Sequence, residues 1–300
     1  MTTGIVMAVV LLALAGPAGA GQQQADPHAG HAMEVPVPRP AGPVVANPAL
    51  PPDASRATEA IKMSPRHGEY VDVKVPGSST PITTWVVYPE RKDKAGVVIV
   101  IHEIFGLTDW IRGVADQLGK DGFIAVAPDL LSGKGPNGGG SAALGEENAR
   151  TVIRTLTPQE VTNALDAVRE YATKLPAASG KSGVVGFCWG GTNSFAYAAH
   201  QPALDAAVVY YGTSPEEPAV YAGIKAPVLG LYGGDDARVD ATIPAAVENM
   251  KKLAKPYQPH VFEGAGHGFL RQQDGRDGAN LKAAEQAWPL TVAFLRQHLK

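Results

Sequence analysis

Residues 97–101 read VVIVI, five consecutive β-branched apolar side chains. A strand that is apolar on both faces needs cover on both faces, which places it in the middle of a parallel sheet with helices on either side. The same kind of run recurs at 123–127, 183–187, 206–211 and 228–232, with a shorter last strand at 259–262. Ahead of them, 70–75 and 82–88 alternate apolar and polar residues and are split by Gly77-Ser78-Ser79. That pattern predicts an antiparallel hairpin at the sheet edge. Helical periods fill the gaps. Trp110, Ile111, Val114, Ala115 and Leu118 share one face, and Val161, Ala164, Leu165, Val168 and Ala172 share another. The second of these helices is announced by Thr157-Pro158-Gln159-Glu160, a cap, a first-turn proline and a reciprocal glutamate. Further helices are expected near 190–200, 243–253 and 281–299. Repeated strand–helix units predict an α/β fold with a mostly parallel central sheet and helices on both faces. The glycine-rich stretch 132–141, SGKGPNGGGS, reads as a mobile loop.

This domain is expected over 68–300. Residues 1–20, MTTGIVMAVVLLALAGPAGA, combine an apolar stretch with Ala18-Gly19-Ala20, a small-x-small cleavage pattern, although the usual early Lys or Arg is missing. They resemble a secretory signal peptide, so a periplasmic or secreted protein starting near Gly21 is expected. Residues 21–67 read as a tether and lead-in, with eight prolines between Pro27 and Pro52. Proline removes backbone donors and fixes φ, which favours an extended chain. His28, His31 and Met33 in this stretch are ligand types that copper uses, but a solvated tail without metal is the simpler reading. With 26 basic and 29 acidic side chains the net charge is −3, which argues against nucleic-acid binding. A single cysteine excludes an internal disulfide and a zinc site built from several cysteines. Beyond the N-terminus no apolar run is long enough to span a bilayer.

Residues 183–191 read GVVGFCWGG. An apolar strand runs through Gly186-Phe187-Cys188-Trp189-Gly190 into a helix. Glycines two before and two after Cys188 permit a tight strand-to-helix turn that lifts its side chain out of the sheet. The positive end of the following helix faces that sulfur and favours a thiolate. A sulfur nucleophile needs a base, and the base an orienting acid. His267, in Gly264-Ala265-Gly266-His267-Gly268-Phe269 just past the last strand, is placed to be the base. His102 ends the strand at 97–101 and is either a neighbour of the site or a packed polar residue. The acid belongs to Gly233-Gly234-Asp235-Asp236, after the strand at 228–232. Either aspartate could serve, and Asp236 fits a G-x-x-D-x-x-V turn better. The order Cys188, Asp236, His267 is that of the α/β-hydrolase fold. Donors to an oxyanion are expected from the backbone N–H groups of Trp189, after the nucleophile, and Ile104, in the loop His102-Glu103-Ile104-Phe105-Gly106.

Taken together, HEIFG at 102–106, APDL at 127–130, GFCWGG at 186–191, YYG at 210–212, GGDDARV at 233–239 and GAGHGF at 264–269 resemble the dienelactone hydrolase family, a cysteine branch of the α/β-hydrolases. The resemblance covers about residues 68–300. It implies a Cys–His–Asp triad that opens enol-lactones such as 4-carboxymethylenebut-2-en-4-olide. It also implies that Glu103 contacts the thiol as a proton acceptor and that Arg271, four residues past His267, holds a substrate carboxylate. Tyr211 and Phe269, from the YYG and GAGHGF motifs, would sit at the substrate. A second carboxylate-binding arginine is expected before the Thr157 helix, where Arg150 and Arg154 lie. Gly268 departs from the pattern where a serine can follow the histidine, and the signal and tether are additions.

The expected activity is cleavage of small esters or lactones through a thioester on Cys188. No cofactor or metal is implied: there is no H-E-x-x-H pattern. The partner is the small-molecule substrate, with no nucleic acid, no membrane after signal removal, and a monomeric state expected. Two rival readings are a non-catalytic binding protein on the same scaffold and a thiol acyltransferase that excludes water.

Overall fold

The computed structural model describes residues 47–300 and Met1. The signal-like stretch, the His28/His31/Met33 motif and the tether up to residue 46 otherwise lie outside the described residues. Eight strands form one sheet: β1 (Gly68–Val73), β2 (Ile82–Val87), β3 (Ala95–Ile101), β4 (Ile124–Pro128), β5 (Ala178–Phe187), β6 (Ala206–Tyr210), β7 (Val228–Gly233) and β8 (Tyr257–Phe262). The helices are α1 (Ala57–Lys62), α2 (Asp109–Lys120), α3 (Ser141–Val152), α4 (Pro158–Thr173), α5 (Trp189–His200), α6 (Ala237–Asp240), α7 (Ile243–Lys252) and α8 (Ala279–His298). The strand order is β1-β2-β4-β3-β5-β6-β7-β8. β1 and β2 form the antiparallel hairpin, β2 runs antiparallel to β4, and the remaining pairs are parallel. All seven residues of β3 and all five of β4 are buried, as runs apolar on both faces require.

Local signals set the helix ends. At α4 the Thr157 hydroxyl accepts from the Glu160 N–H at 3.2 Å, and the Glu160 carboxylate accepts from the Thr157 N–H at 2.8 Å. This is the reciprocal cap that the sequence announces. At α2 the Thr108 side chain accepts from the Ile111 N–H, while Trp110, Ile111, Val114, Ala115 and Leu118 face the core.

Two expectations change. Residues 47–52 are not an extended tether: Leu50 and Pro51 are buried against the domain. The proline-as-breaker argument counts missing donors only. The carbonyls remain, and Pro51 O accepts from Gln273 Nε2 at 2.9 Å while Pro52 O accepts from Trp110 Nε1 at 3.1 Å. The packed body therefore includes 47–67. The glycine-rich stretch 132–141 is pinned at both ends by Asp129, whose carboxylate accepts from the Leu131 N–H, the Ser141 N–H and the Ser141 hydroxyl. Ser141 then opens α3, a helix broken at Gly145 (φ 71°). Only three of its residues are buried, too few to give a readable apolar stripe.

Candidate active site

The nucleophile candidate sits where β5 turns into α5. Cys188 has φ 55° and ψ −117°, a backbone region costly for any side chain, and its N–H is held by Tyr210 O at 3.1 Å. Close backbone approach explains the flanking glycines. A Cβ on Gly186 would lie 1.9 Å from Gly190 O, and one on Gly190 would lie 2.3 Å from Ile101 O and 2.4 Å from His102 O. The end of β3 is thus pressed against the start of α5. This brings the 102–106 loop, closed by Gly106 N–H to Glu103 O at 3.2 Å, beside the Cys188 turn. Ile104 lies in that loop and Trp189 opens α5, so their N–H groups belong to the two elements that meet at Gly190.

Asp236 follows β7 and is buried, and its Oδ2 lies 2.5 Å from Nδ1 of His267, in the loop after β8. Asp235 points elsewhere and pairs with Arg276 at 2.8 Å. Burial disfavours a charge on the His267 ring, but the Cys188 sulfur and the Asp236 carboxylate outweigh it and raise the group to about 10. His102 is the packed alternative of its two readings. It is fully buried, its Nε2 accepts from the Leu130 N–H at 3.2 Å, and its Nδ1 lies 2.7 Å from Glu103 O. Those partners require a neutral ring with the proton on Nδ1, and burial pushes its pKa down accordingly. It stacks on Trp189 at 5.7 Å.

Glu103 is 4% exposed, and its Oε2 lies 3.2 Å from Arg271 Nε. The contact is at ion-pair distance without hydrogen-bond alignment, since both atoms are buried with no hydrogen-bond partner among the described residues. Burial raises Glu103 to about 6, against the opposing pull of Arg271 and His267 and with a small push from Glu146. Arg271 is therefore pre-engaged rather than an open clamp. It also lies 3.9 Å from Glu146 and 4.7 Å from the centre of the Phe105 ring, on which the Arg150 guanidinium stacks at 5.7 Å. Arg150 is thus the arginine of α3 that joins this cluster, whereas Arg154 is exposed in the turn Ile153–Thr155. Phe105 and Glu146 were missed from the sequence. A ring between two guanidiniums leaves no periodic signal.

Tyr211 (φ 39°) is buried with its ring 5.1 Å from that of His267. Its hydroxyl has no hydrogen-bond partner among the described residues, and burial, with the neighbouring Glu103 and Cys188, raises its pKa well above the ordinary phenol. Phe269, expected at the substrate, is fully buried against Phe262, Tyr210 and Tyr211. It has no surface to offer a ligand and serves instead as the core of the histidine loop. From Phe105 and Arg271 an open cleft of about 330 Å³ runs past Trp110, Ser141, Glu146 and Ala54. Among the described residues no cluster of three or more His, Cys, Asp or Glu is placed to hold a metal ion, and no helix is long and apolar enough to cross a membrane.

A sequence profile of the dienelactone hydrolase family matches residues 82–299. A Methylorubrum extorquens protein provisionally named a carboxymethylenebutenolidase is 32% identical over 238 residues, covering 76% of this chain and 80% of its own. The crystal structure of a protein provisionally named a dienelactone hydrolase, from Klebsiella pneumoniae, superposes with a TM-score of 0.68 at 26% identity, covering 77% of this chain and 99% of that one. The fold extends further: an acylaminoacyl peptidase of Pyrococcus horikoshii superposes at 0.62 with 17% identity, over 82% of this chain and 44% of its own. A hydrolase scaffold with a cysteine at its strand-to-helix turn, matched along nearly the whole sheet, makes this chain a member of the dienelactone hydrolase family of ester and lactone hydrolases.

Proposed function

We propose that the protein hydrolyses small carboxylate-bearing esters or lactones, of the carboxymethylenebutenolide type named for its relatives, through a thioester on Cys188. The observation that carries this reading is the 2.5 Å Asp236–His267 contact beside a cysteine held at φ 55° between β5 and α5. The Cys188 sulfur attacks the carbonyl carbon, and the N–H groups of Ile104 and Trp189 receive the oxyanion. Glu103 takes the thiol proton as the S–C bond forms, and His267, charged and oriented by Asp236, gives its own proton to the leaving oxygen as the C–O bond breaks. Water then attacks the thioester and gives a proton to His267, the acid leaves as the C–S bond breaks, and Glu103 returns its proton to the sulfur.

The substrate class rests on Arg271. A guanidinium–carboxylate contact in a half-buried site contributes about 1.5–3 kcal/mol, or about ten- to a hundredfold in kcat/KM. Because Glu103 already occupies Arg271, the lower end is expected. In an ester and lactone panel on purified protein, carboxylate-bearing members should be preferred by about tenfold over neutral ones, and Arg271→Ala should erase that preference by raising KM. An equal loss on both classes would mean that Arg271 only supports the histidine loop, and absence of turnover across the panel would overturn the hydrolase reading.

In this reading Glu103 accepts the thiol proton, so it must be ionised. His267 is raised to about 10 and so titrates above neutrality, which leaves Glu103, at about 6, to shape the acid limb. We expect kcat/KM to rise through about pH 6 and Glu103→Gln to remove that limb. Asp240, pushed up to about 6 by burial and by Asp236 and Asp235, titrates in the same range. The variant, not the profile alone, therefore assigns the limb: an unchanged profile in Glu103→Gln would exclude Glu103. The linkage has the opposite sign for stability. A carboxyl raised from 4.5 to about 6 on folding keeps a proton that the unfolded chain releases, so its contribution falls as pH rises across that window.

A further inference from the structure

The segment ahead of the first strand is tied to the loop that carries Arg271. Asp53 is 5% exposed. Its Oδ1 accepts from the Ser55 N–H and hydroxyl at 2.9 and 2.7 Å, and its Oδ2 accepts from the Gln273 N–H at 2.8 Å. One residue on, the Ala54 N–H donates to Arg271 O at 3.0 Å. The Gln273 side chain, itself 4% exposed, reaches back from Nε2 to Pro51 O at 2.9 Å. Three hydrogen bonds, all to backbone atoms on at least one side, thus join 51–54 to 271–273.

The other flank of the same segment is seated on α2. Trp110 Nε1 donates to Pro52 O, and the Thr58 hydroxyl donates to Asp109 at 2.6 Å. Gly113 leaves the recess for Pro52: a Cβ there would meet Pro52 Cγ at 2.6 Å, and the other atoms within reach, Pro52 Cδ and Ala57 Cβ, belong to the same segment. Residues 47–62 therefore form a strap from α2 to the histidine loop. Ala54 and Thr58 of the strap line the same cleft as Arg271. The strap lies ahead of the region matched by the family profile, which begins at residue 82.

We propose that this strap is a positioning element of the substrate site, with Asp53 as the positioning residue that holds Arg271 at the cleft. The stretch from Phe262 to the Arg276–Gly278 turn contains no regular strand or helix, and Gly264 and Gly268 sit at φ 72° and 75°. Such a loop keeps a guanidinium in place only if something outside it removes its freedom. Bracing it in advance lowers the ordering cost of binding a carboxylate, and a displacement of an ångström at a positioning group is felt in the kinetics. The proposal rests on the reading of Arg271 as a substrate-facing residue.

The test compares wild type, Asp53→Ala and Gly113→Ala by amide hydrogen exchange and by kcat and KM on a carboxylate-bearing and a neutral ester. Gly113→Ala pushes Pro52 from the far side without touching the histidine loop, so it reports on the strap should Asp53→Ala fail to fold. Both variants should speed exchange of the Gln273 and Ala54 amides by about tenfold or more while peptides of β5 and α5 keep their wild-type rates. Both should raise KM about five- to tenfold for the charged ester, with kcat and the neutral ester's KM within about twofold of wild type. Wild-type exchange at 270–273 in both variants, or equal KM changes on the two esters, would overturn the proposal. If wild type turns over neither ester, the hydrolase reading fails and the exchange data alone decide the strap.

Discussion

Cys188→Ala should lower kcat/KM on every ester the wild type cleaves by about three orders of magnitude or more, because each step of the thioester route passes through that sulfur. The fold should survive. Alanine tolerates φ 55° no worse than cysteine does, and the lost atom is a single small one in the turn past the end of β5 rather than in the middle of the sheet. Circular dichroism and the thermal midpoint are the controls. The chain has one cysteine, so alkylation by iodoacetamide reports on Cys188 alone and should vanish in the variant. Cys188→Ser should keep a trace of esterase activity, since a hydroxyl is harder to ionise at the same position. Near-wild-type turnover in Cys188→Ala would move the chemistry to another group.

The second large effect is on stability. Gly190→Ala sets a methyl 2.3 Å from Ile101 O and 2.4 Å from His102 O. Both are backbone atoms at the end of β3, a strand paired on both edges, so neither has room to retreat. We expect a loss of about 3–5 kcal/mol in urea unfolding, or insoluble protein. Gly180→Ala makes the comparison: Gly180 has φ 88° with nothing within 4 Å of the added methyl, so only the backbone penalty of about 1 kcal/mol applies. Equal costs for the two variants would show that the elbow yields more readily than its contacts suggest.

What could be read in the sequence was whatever repeats or turns locally. The VVIVI run gave away a central strand because burial on both faces removes alternation. The glycines around Cys188 were legible because one backbone crossing demands two residues without side chains at fixed offsets. Turn spacing favoured Asp236 over Asp235, and Asp236 is the one that a ring from another loop meets, while Asp235 meets Arg276. The strap was misread. Asp53 and Gln273 are 220 positions apart, and no periodicity links them. The Arg150–Phe105–Arg271 stack and the Asp129–Ser141 tie are likewise contacts between α3 and loops, whose partners are chosen by the fold and leave no pattern in either segment.

The position of Cys188 bears on how this protein meets an oxidant. The sulfur lies at the end of the central strand β5, with β3 and β6 on either side, and the residue is 6% exposed. A thiol on another protein chain must bring its own backbone within a few ångströms to form a disulfide, and a residue 6% exposed offers little surface for that approach. Peroxide is small enough to enter. It would carry the sulfur to sulfenic acid, which no second cysteine in the sequence can resolve. Burial therefore shields this sulfur from crosslinking to another chain and leaves the reversal of its oxidation to small thiols able to reach it, before further peroxide takes it to the irreversible sulfinic form.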